Sequence, residues 1–164
     1  MKKFSIEIRW GIMFSLFSMV WMIGEKAVGL HDAHIDKQLL YTNLFGIVAI
    51  IIYTFALLDK KKNYYHGQMN FKQGFIAGAM LSLVIAVLSP LTQYIIYTYI
   101  TPQYFSNMIA YFTQHKFKTR EQAEALFSIN SYILQGFSGT LCLQVITGAL
   151  VAFIVQTKNN PNEK

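Results

Sequence analysis

At 164 residues, 54% hydrophobic and 13% charged, the chain is too apolar for an ordinary soluble domain and too short for more than one compact bundle. The formal net charge of +6 does not make it a nucleic-acid binder, because the basic residues sit at the ends of apolar runs and form no aromatic-interleaved patch. A lone cysteine, Cys142, excludes an internal disulfide and a zinc site built on cysteines.

Four stretches lack Asp, Glu, Lys and Arg altogether: 10–24, 38–58, 73–114 and 125–157. A hydrocarbon core about 30 Å thick takes about 20 apolar residues of helix. The pattern therefore predicts an all-α, four-helix transmembrane bundle of two hairpins, with spans at about 8–29, 39–58, 72–100 and 131–156 in one integral-membrane domain covering 1–164. An interfacial or periplasmic helical insert, 101–130, separates spans three and four.

Lys2 and Lys3 ahead of the first apolar run, and Ala27-Val28-Gly29 behind it, have the outline of a signal peptide. Glu7, Arg9, two tryptophans within the run and Glu25-Lys26 before the would-be cleavage site argue for a retained first span. With the N-terminus in the cytoplasm, Lys2, Lys3, Arg9, Lys60, Lys61, Lys62, Lys72, Lys158 and Lys164 fall inside, and Lys26, Lys37, Lys116, Lys118 and Arg120 fall outside. Nine against five places both termini in the cytoplasm. The run Asp59-Lys60-Lys61-Lys62 is read as the abrupt end of span two and the start of a short loop.

Span three carries Ser89-Pro90-Leu91-Thr92-Gln93, where Pro90 removes a backbone donor and predicts a kink with polar groups at its elbow. Gly74, Gly78 and Ser82 on span three, and Gly136, Thr140, Gln144, Gly148 and Ala152 on span four, repeat small or polar residues every fourth position. Such faces let backbones approach, so these are the expected packing surfaces of the two helices, with Gln144 as an interhelical hydrogen-bond residue. Arg9-Trp10-Gly11 and Lys72-Gln73-Gly74 open spans one and three alike, a short echo that suits two hairpins in parallel repetition.

In the insert, Thr101-Pro102 reads as N-cap and first helical residue, followed by Tyr104, Phe105, Met108, Ile109 and Phe112 on one face. That face suits the headgroup region or a cavity below it. Thr119 with Gln122 forms a second helix start, a capping box.

Depth singles out the polar candidates. Glu25, Gln93 and Gln135 lie within about two turns of the outer surface, and His31, Asp32 and His34 follow Glu25 directly, so these six are the expected outer-side pocket. Neither His31 with His34 nor Asp32 with Asp36 completes a metal site by spacing, and no catalytic set, metal or cofactor is assigned.

The segments Gly29-Leu30-His31-Asp32, His34-Ile35-Asp36-Lys37, Tyr41-Thr42-Asn43-Leu44-Phe45, Phe71-Lys72-Gln73-Gly74 and Leu88-Ser89-Pro90-Leu91-Thr92-Gln93-Tyr94 resemble the "domain of unknown function 4199" family over nearly the whole chain. That resemblance implies a small multi-pass protein of a bacterial, Bacteroidota-type inner membrane, and brings no catalytic residues with it. It also implies a neighbourhood of polyprenyl-phosphate-type glycosyltransferases as protein partners. The expected role is an accessory or scaffold subunit for such a membrane-associated partner, or for a second copy of the chain, rather than an enzyme. The alternatives are an enzyme or binding protein for a lipid-linked substrate with an outer-leaflet polar site, and a small oligomeric transporter or channel.

Overall fold

The computed structural model describes residues 4–157, and every regular element within them is helical. Helix α1 is Ser5–Ala27, α2 is Gln38–Asn43 after a single 3-10 turn at Ile35–Lys37, and α3 is Phe45–Asn63. Helix α4 is Phe71–Ile95, continued by a π-helical turn at Ile96–Ile100; α5 is Tyr104–Gln114, α6 is Arg120–Leu126 and α7 is Ile129–Val155. Among the described residues four stretches, Ser5–Ala27, Ile35–Asn63, Phe71–Ile100 and Ile129–Val155, are long and apolar enough to cross a membrane. The expected all-α four-span bundle is the observed fold. Lys2, Lys3, Lys158 and Lys164 of the orientation count lie outside the described residues.

The tightest joint is the antiparallel seam of α4 and α7. A Cβ added at Gly78 would stand 3.0 Å from the Cα of Gly148, one at Gly74 would stand 3.0 Å from the Cβ of Ala152, and one at Gly136 would strike the Gln93 amide. These pairings follow one register along most of both helices, so the missing side chains let the backbones touch over several turns. Beside the seam Tyr53 of α3 is fully buried; its hydroxyl lies 2.9 Å from Ser82 Oγ, which donates in turn to the Gly78 carbonyl at 2.9 Å. Phe14, Ile52, Leu57, Leu81, Ile85 and Val151 complete this core.

Helix starts follow their caps. Asn70, Thr119 and Ser128 are extended, and each side chain accepts the N–H three residues on; Gln73 and Gln122 close reciprocal boxes with the first two. The Thr119 box is the one the sequence predicts. Thr101 is different: its ψ is 65° rather than the extended value of a cap, and α5 begins only at Tyr104. The Thr101-Pro102 pair therefore makes a turn, not a helix start. Pro90 lies inside α4, which continues as helix to Ile95, and a π turn follows at Ile96–Ile100.

The two ends of the bundle are built differently. At one end, here the clamp end, Glu7 of α1 and Lys60 of α3 are buried 2.8 Å apart, with the ammonium 4.0 Å from the Tyr64 ring. Arg9 pairs with Asp59, which also accepts Trp10 Nε1–H at 2.7 Å, and Lys61 donates to the Val155 carbonyl at 2.9 Å. The reading of 59–62 as loop is thus corrected: α3 continues to Asn63 because these lysines find partners.

At the other end α5 and α6 fold back over the bundle as a lid. Tyr104 and Met108 are buried together with Ala123 and Phe127, and Tyr97, Phe105, Ile109, Phe112 and Tyr132 pack around them. The aromatic face of α5 therefore turns inward onto its own small core.

A buried polar cluster beside a hydroxyl-lined cavity

Where α1 ends, its last turn carries Glu25 inward beneath the lid. The carboxylate accepts from Trp21 Nε1 at 2.6 Å and Thr42 Oγ1 at 2.7 Å through one oxygen, and meets His31 Nε2 at 3.1 Å through the other. Trp21 reaches it because i and i+4 share a helix face; His31 reaches it because Gly29, at φ +80°, turns the chain back on itself. Gln38 extends the cluster by donating to Thr42 Oγ1 at 2.8 Å. From above, Asn107 of α5 donates to the His31 carbonyl at 2.8 Å, and Tyr104 meets the imidazole edge to face at 5.2 Å. Burial, then the neighbouring Tyr132 and Tyr97, push the Tyr104 phenol well above the usual tyrosine range.

Two atoms of this cluster have no protein partner among the described residues. They are His31 Nδ1 and Gln38 Oε1, on side chains only 3% and 4% exposed. A buried polar atom left unpaired costs about 1–3 kcal/mol. A third such atom, Gln144 Oε1, lies lower in the bundle, so Gln144 is not the fully paired interhelical residue its spacing suggests.

Gln144 lines a half-open cavity of about 230 Å³ between α1, the α2–α3 junction, α4 and α7. Its wall includes Ser15, Ser18, Thr42, Ser89, Thr92, Gln93 and Thr140. Ser15 and Met22, both on the wall, are seven residues apart on one helix, so the space reaches about 10 Å along the bundle axis. Several wall hydroxyls have already committed their protons. Ser15 donates to the Gly11 carbonyl at 3.2 Å, Ser18 to that of Ser15 at 2.7 Å, Thr92 to that of Leu88 at 3.0 Å and Thr42 to Glu25. What they can offer the interior is oxygen lone pairs, and Gln144 Oε1 adds another acceptor. Beneath the cavity lies the Phe14, Tyr53 and Leu81 core.

The six residues expected to share one pocket divide. Glu25 and His31 form the cluster, and Gln93 lines the cavity next to it. Asp32 and His34 are exposed; Asp32 Oδ1 accepts the Ala33 N–H and serves the Gly29 turn. Gln135 is exposed as well and donates to Ser131 at 2.7 Å. A single recess holding all six is therefore corrected: equal depth along the axis says nothing about rotation around a helix. Trp21, Thr42, Gln38 and Asn107 were missed by sequence reasoning, although Trp21 with Glu25 and Gln38 with Thr42 are both at i, i+4 and legible as such. Among the described residues no three of His, Cys, Asp and Glu gather as metal ligands would.

The model of the family described as "Protein of unknown function (DUF4199)" matches residues 9–157. No curated protein and no solved structure matches the chain.

Proposed function

The chain belongs to the DUF4199 family of proteins of unknown function, and from that premise we propose that it is a membrane-embedded binding protein for a lipid-linked substrate. The polar end of that substrate enters the hydroxyl-lined cavity under the α5–α6 lid. The observation that carries this reading is the cavity wall itself, where five or more hydroxyl side chains and the amides of Gln93 and Gln144 line a space between membrane-spanning helices. Polar groups at that depth are costly unless they meet water or a ligand, and a wall of hydroxyls and two side-chain amides, which can both accept and donate, suits a ligand rich in hydroxyl groups.

The membrane is a bacterial inner membrane in this reading, with both termini cytoplasmic and the lid outside. The nine-to-five division of Lys and Arg along the whole sequence supports the orientation, and the family resemblance supports the location. The apolar core beneath the cavity favours binding over transport, because a transporter needs a polar path through both halves. An accessory subunit holding a membrane partner stays the second reading. It draws on the exposed apolar face of α7, where Leu143, Leu150 and Phe153 are turned outward.

A cysteine at Ser18, in a Cys142→Ser background, tests the proposal. A membrane-impermeant thiol reagent applied to intact cells should modify it from outside, and a lipid extract of the native membrane should slow the reaction. No modification, modification only after the inner face is opened, or no protection by lipid would each reject the cavity as a ligand site on the outer side.

A further inference from the structure

The cavity under the lid has two unlike walls. On the α1 and α3 side Phe14, Trp21 and Phe45 present a continuous set of rings, Phe14 with Phe45 at 5.5 Å and Trp21 with Phe45 at 5.7 Å between centroids. The Trp21 indole is fixed there, because its N–H is held by the Glu25 carboxylate at 2.6 Å. On the α4 and α7 side stand Ser89 and Gln93, four residues apart on one helix, and Thr140 and Gln144, four apart on the other. Each pair shares a helix face. None of these four side chains makes a hydrogen bond among the described residues. Gly136 makes room for one of them, since a Cβ there would strike the Gln93 amide.

Unpaired polar side chains on two spans are costly without a ligand or water between them, and the facing rings narrow what that ligand can be. It needs an apolar face for the rings and a polar edge for the amides and hydroxyls. Among the described residues no Asp, Glu, Lys, Arg or His lines the space, so a charged head group would stand there without a counter-charge. The volume, about 230 Å³, falls below the roughly 300–1,000 Å³ of pockets for drug-sized ligands and suits one ring rather than two. On the reading of this cavity as a ligand site, we propose that the polar end of its lipid-linked substrate is a single neutral pyranose sugar, stacked on Trp21 with its hydroxyls on Gln93, Thr140 and Gln144. The C–H bonds on one face of such a ring meet the negative face of an aromatic ring, and its hydroxyls both donate to and accept from amides. A quinone is also flat and neutral, but its two carbonyl oxygens only accept and would leave most of this wall unpaired.

The whole protein, in the detergent tetraethylene glycol monooctyl ether, is offered equal amounts of octyl glucoside, octyl glucuronide and menadione, and the bound species are read by native mass spectrometry. The detergent and both glycosides share an octyl tail, so any selection belongs to the head group. One octyl glucoside should be retained, with a preference of about tenfold or more over the glucuronide, whose carboxylate finds no cation on the wall. Trp21→Leu should lose the glucoside, while Trp21→Phe, which keeps a ring, should hold most of it. Thr140→Val and Gln144→Leu should each weaken retention about fivefold. These two delete atoms that pair with nothing in the protein, so an undiminished melting temperature should accompany their loss of binding. No retained glucoside, equal retention of glucoside and glucuronide, a preference for menadione, or parent-like retention by both Trp21→Leu and Gln144→Leu overturns the pyranose. Labelling of the Ser18 cysteine then separates the two readings. Protection by the lipid extract but not by octyl glucoside rejects the sugar and keeps the cavity as a site for another head group, whereas protection by neither rejects both.

Discussion

Each end of the bundle buries a carboxylate against a nitrogen base, Glu7 with Lys60 at one and Glu25 with His31 at the other, all four residues 3–4% exposed. The chemistry is alike and the consequence is not. Glu7 and Lys60 stand 53 positions apart, so their pair joins the first span to the second. Glu25 and His31 are six apart, so theirs only closes the turn after α1, and α2 and the lid attach to it through Thr42 and Asn107. One end is a clamp between helices, and the other is a local knot that leaves a ring nitrogen and an amide oxygen unpaired next to a cavity. Burying a carboxylate against a nitrogen base is thus no mark of function by itself; what surrounds it and what remains unsatisfied make the difference.

The largest effect is expected at the clamp. Lys60→Met leaves Glu7 buried without its cation and should cost about 3–5 kcal/mol, read as a lowered melting temperature in detergent. Glu7→Gln together with Lys60→Met should recover most of that loss, because a neutral pair needs no counter-charge. A single variant as stable as the parent would mean that the end is not clamped.

Next in size is the seam that serves both ends. Gly78→Leu puts a side chain where the Gly148 backbone lies 3.0 Å from the first added carbon, an overpacking worth about 1–3 kcal/mol. Gly46→Ala, where a Cβ meets nothing within 4 Å, should instead gain up to about 1 kcal/mol from helix propensity. Equal melting temperatures for the two variants would refute close packing at Gly78.

How much of this was legible follows from what a membrane does to sequence patterns. Charge-free length places the spans, and side-chain spacing finds the seam and the Thr119 cap, because these are one-dimensional signals. Rotation about a helix axis is not, since lipid is as apolar as the protein interior and the spans carry little amphipathic contrast. Gln93 and Gln135 therefore looked equivalent by depth, yet one lines the cavity and the other is exposed. In the sequence Lys60 and Asp59 look like the mere end of a span, because their partners Glu7, Arg9 and Trp10 lie about fifty residues away in another span. The Asn70 cap was there to be found, as Asn-x-x-Gln ahead of an apolar run has the same logic as Thr119.

The lid can be sharpened by pH. Burial raises the Tyr104 phenol, so the docked lid favours the protonated side chain. Its contribution is complete below the ordinary tyrosine value of about 10 and falls as pH rises above it, because only the undocked tyrosine can then ionise. Proteolysis of the 104–126 segment should accelerate above about pH 10 and do so less steeply in Tyr104→Phe. An identical rise in both proteins would remove Tyr104 as the cause.

The smallest effect tests whether the knot and the lid are one unit. Asn107 is the lid residue that donates a side-chain hydrogen bond to the carbonyl of His31, and its loss leaves that carbonyl short of a partner beneath Tyr104. Asn107→Ala should cost about 0.5–1.5 kcal/mol, small against the whole bundle but large against a segment held chiefly by one aromatic patch. The loss should therefore show as faster amide exchange across 104–126 and around His31, with the melting temperature almost unmoved. Arg120→Ala removes only the exposed pair with Glu124 and should leave both regions as they were. If Asn107→Ala loosens the lid and leaves the amides near His31 protected, the cluster holds itself together without the insert. The lid would then cover the site without helping to shape it.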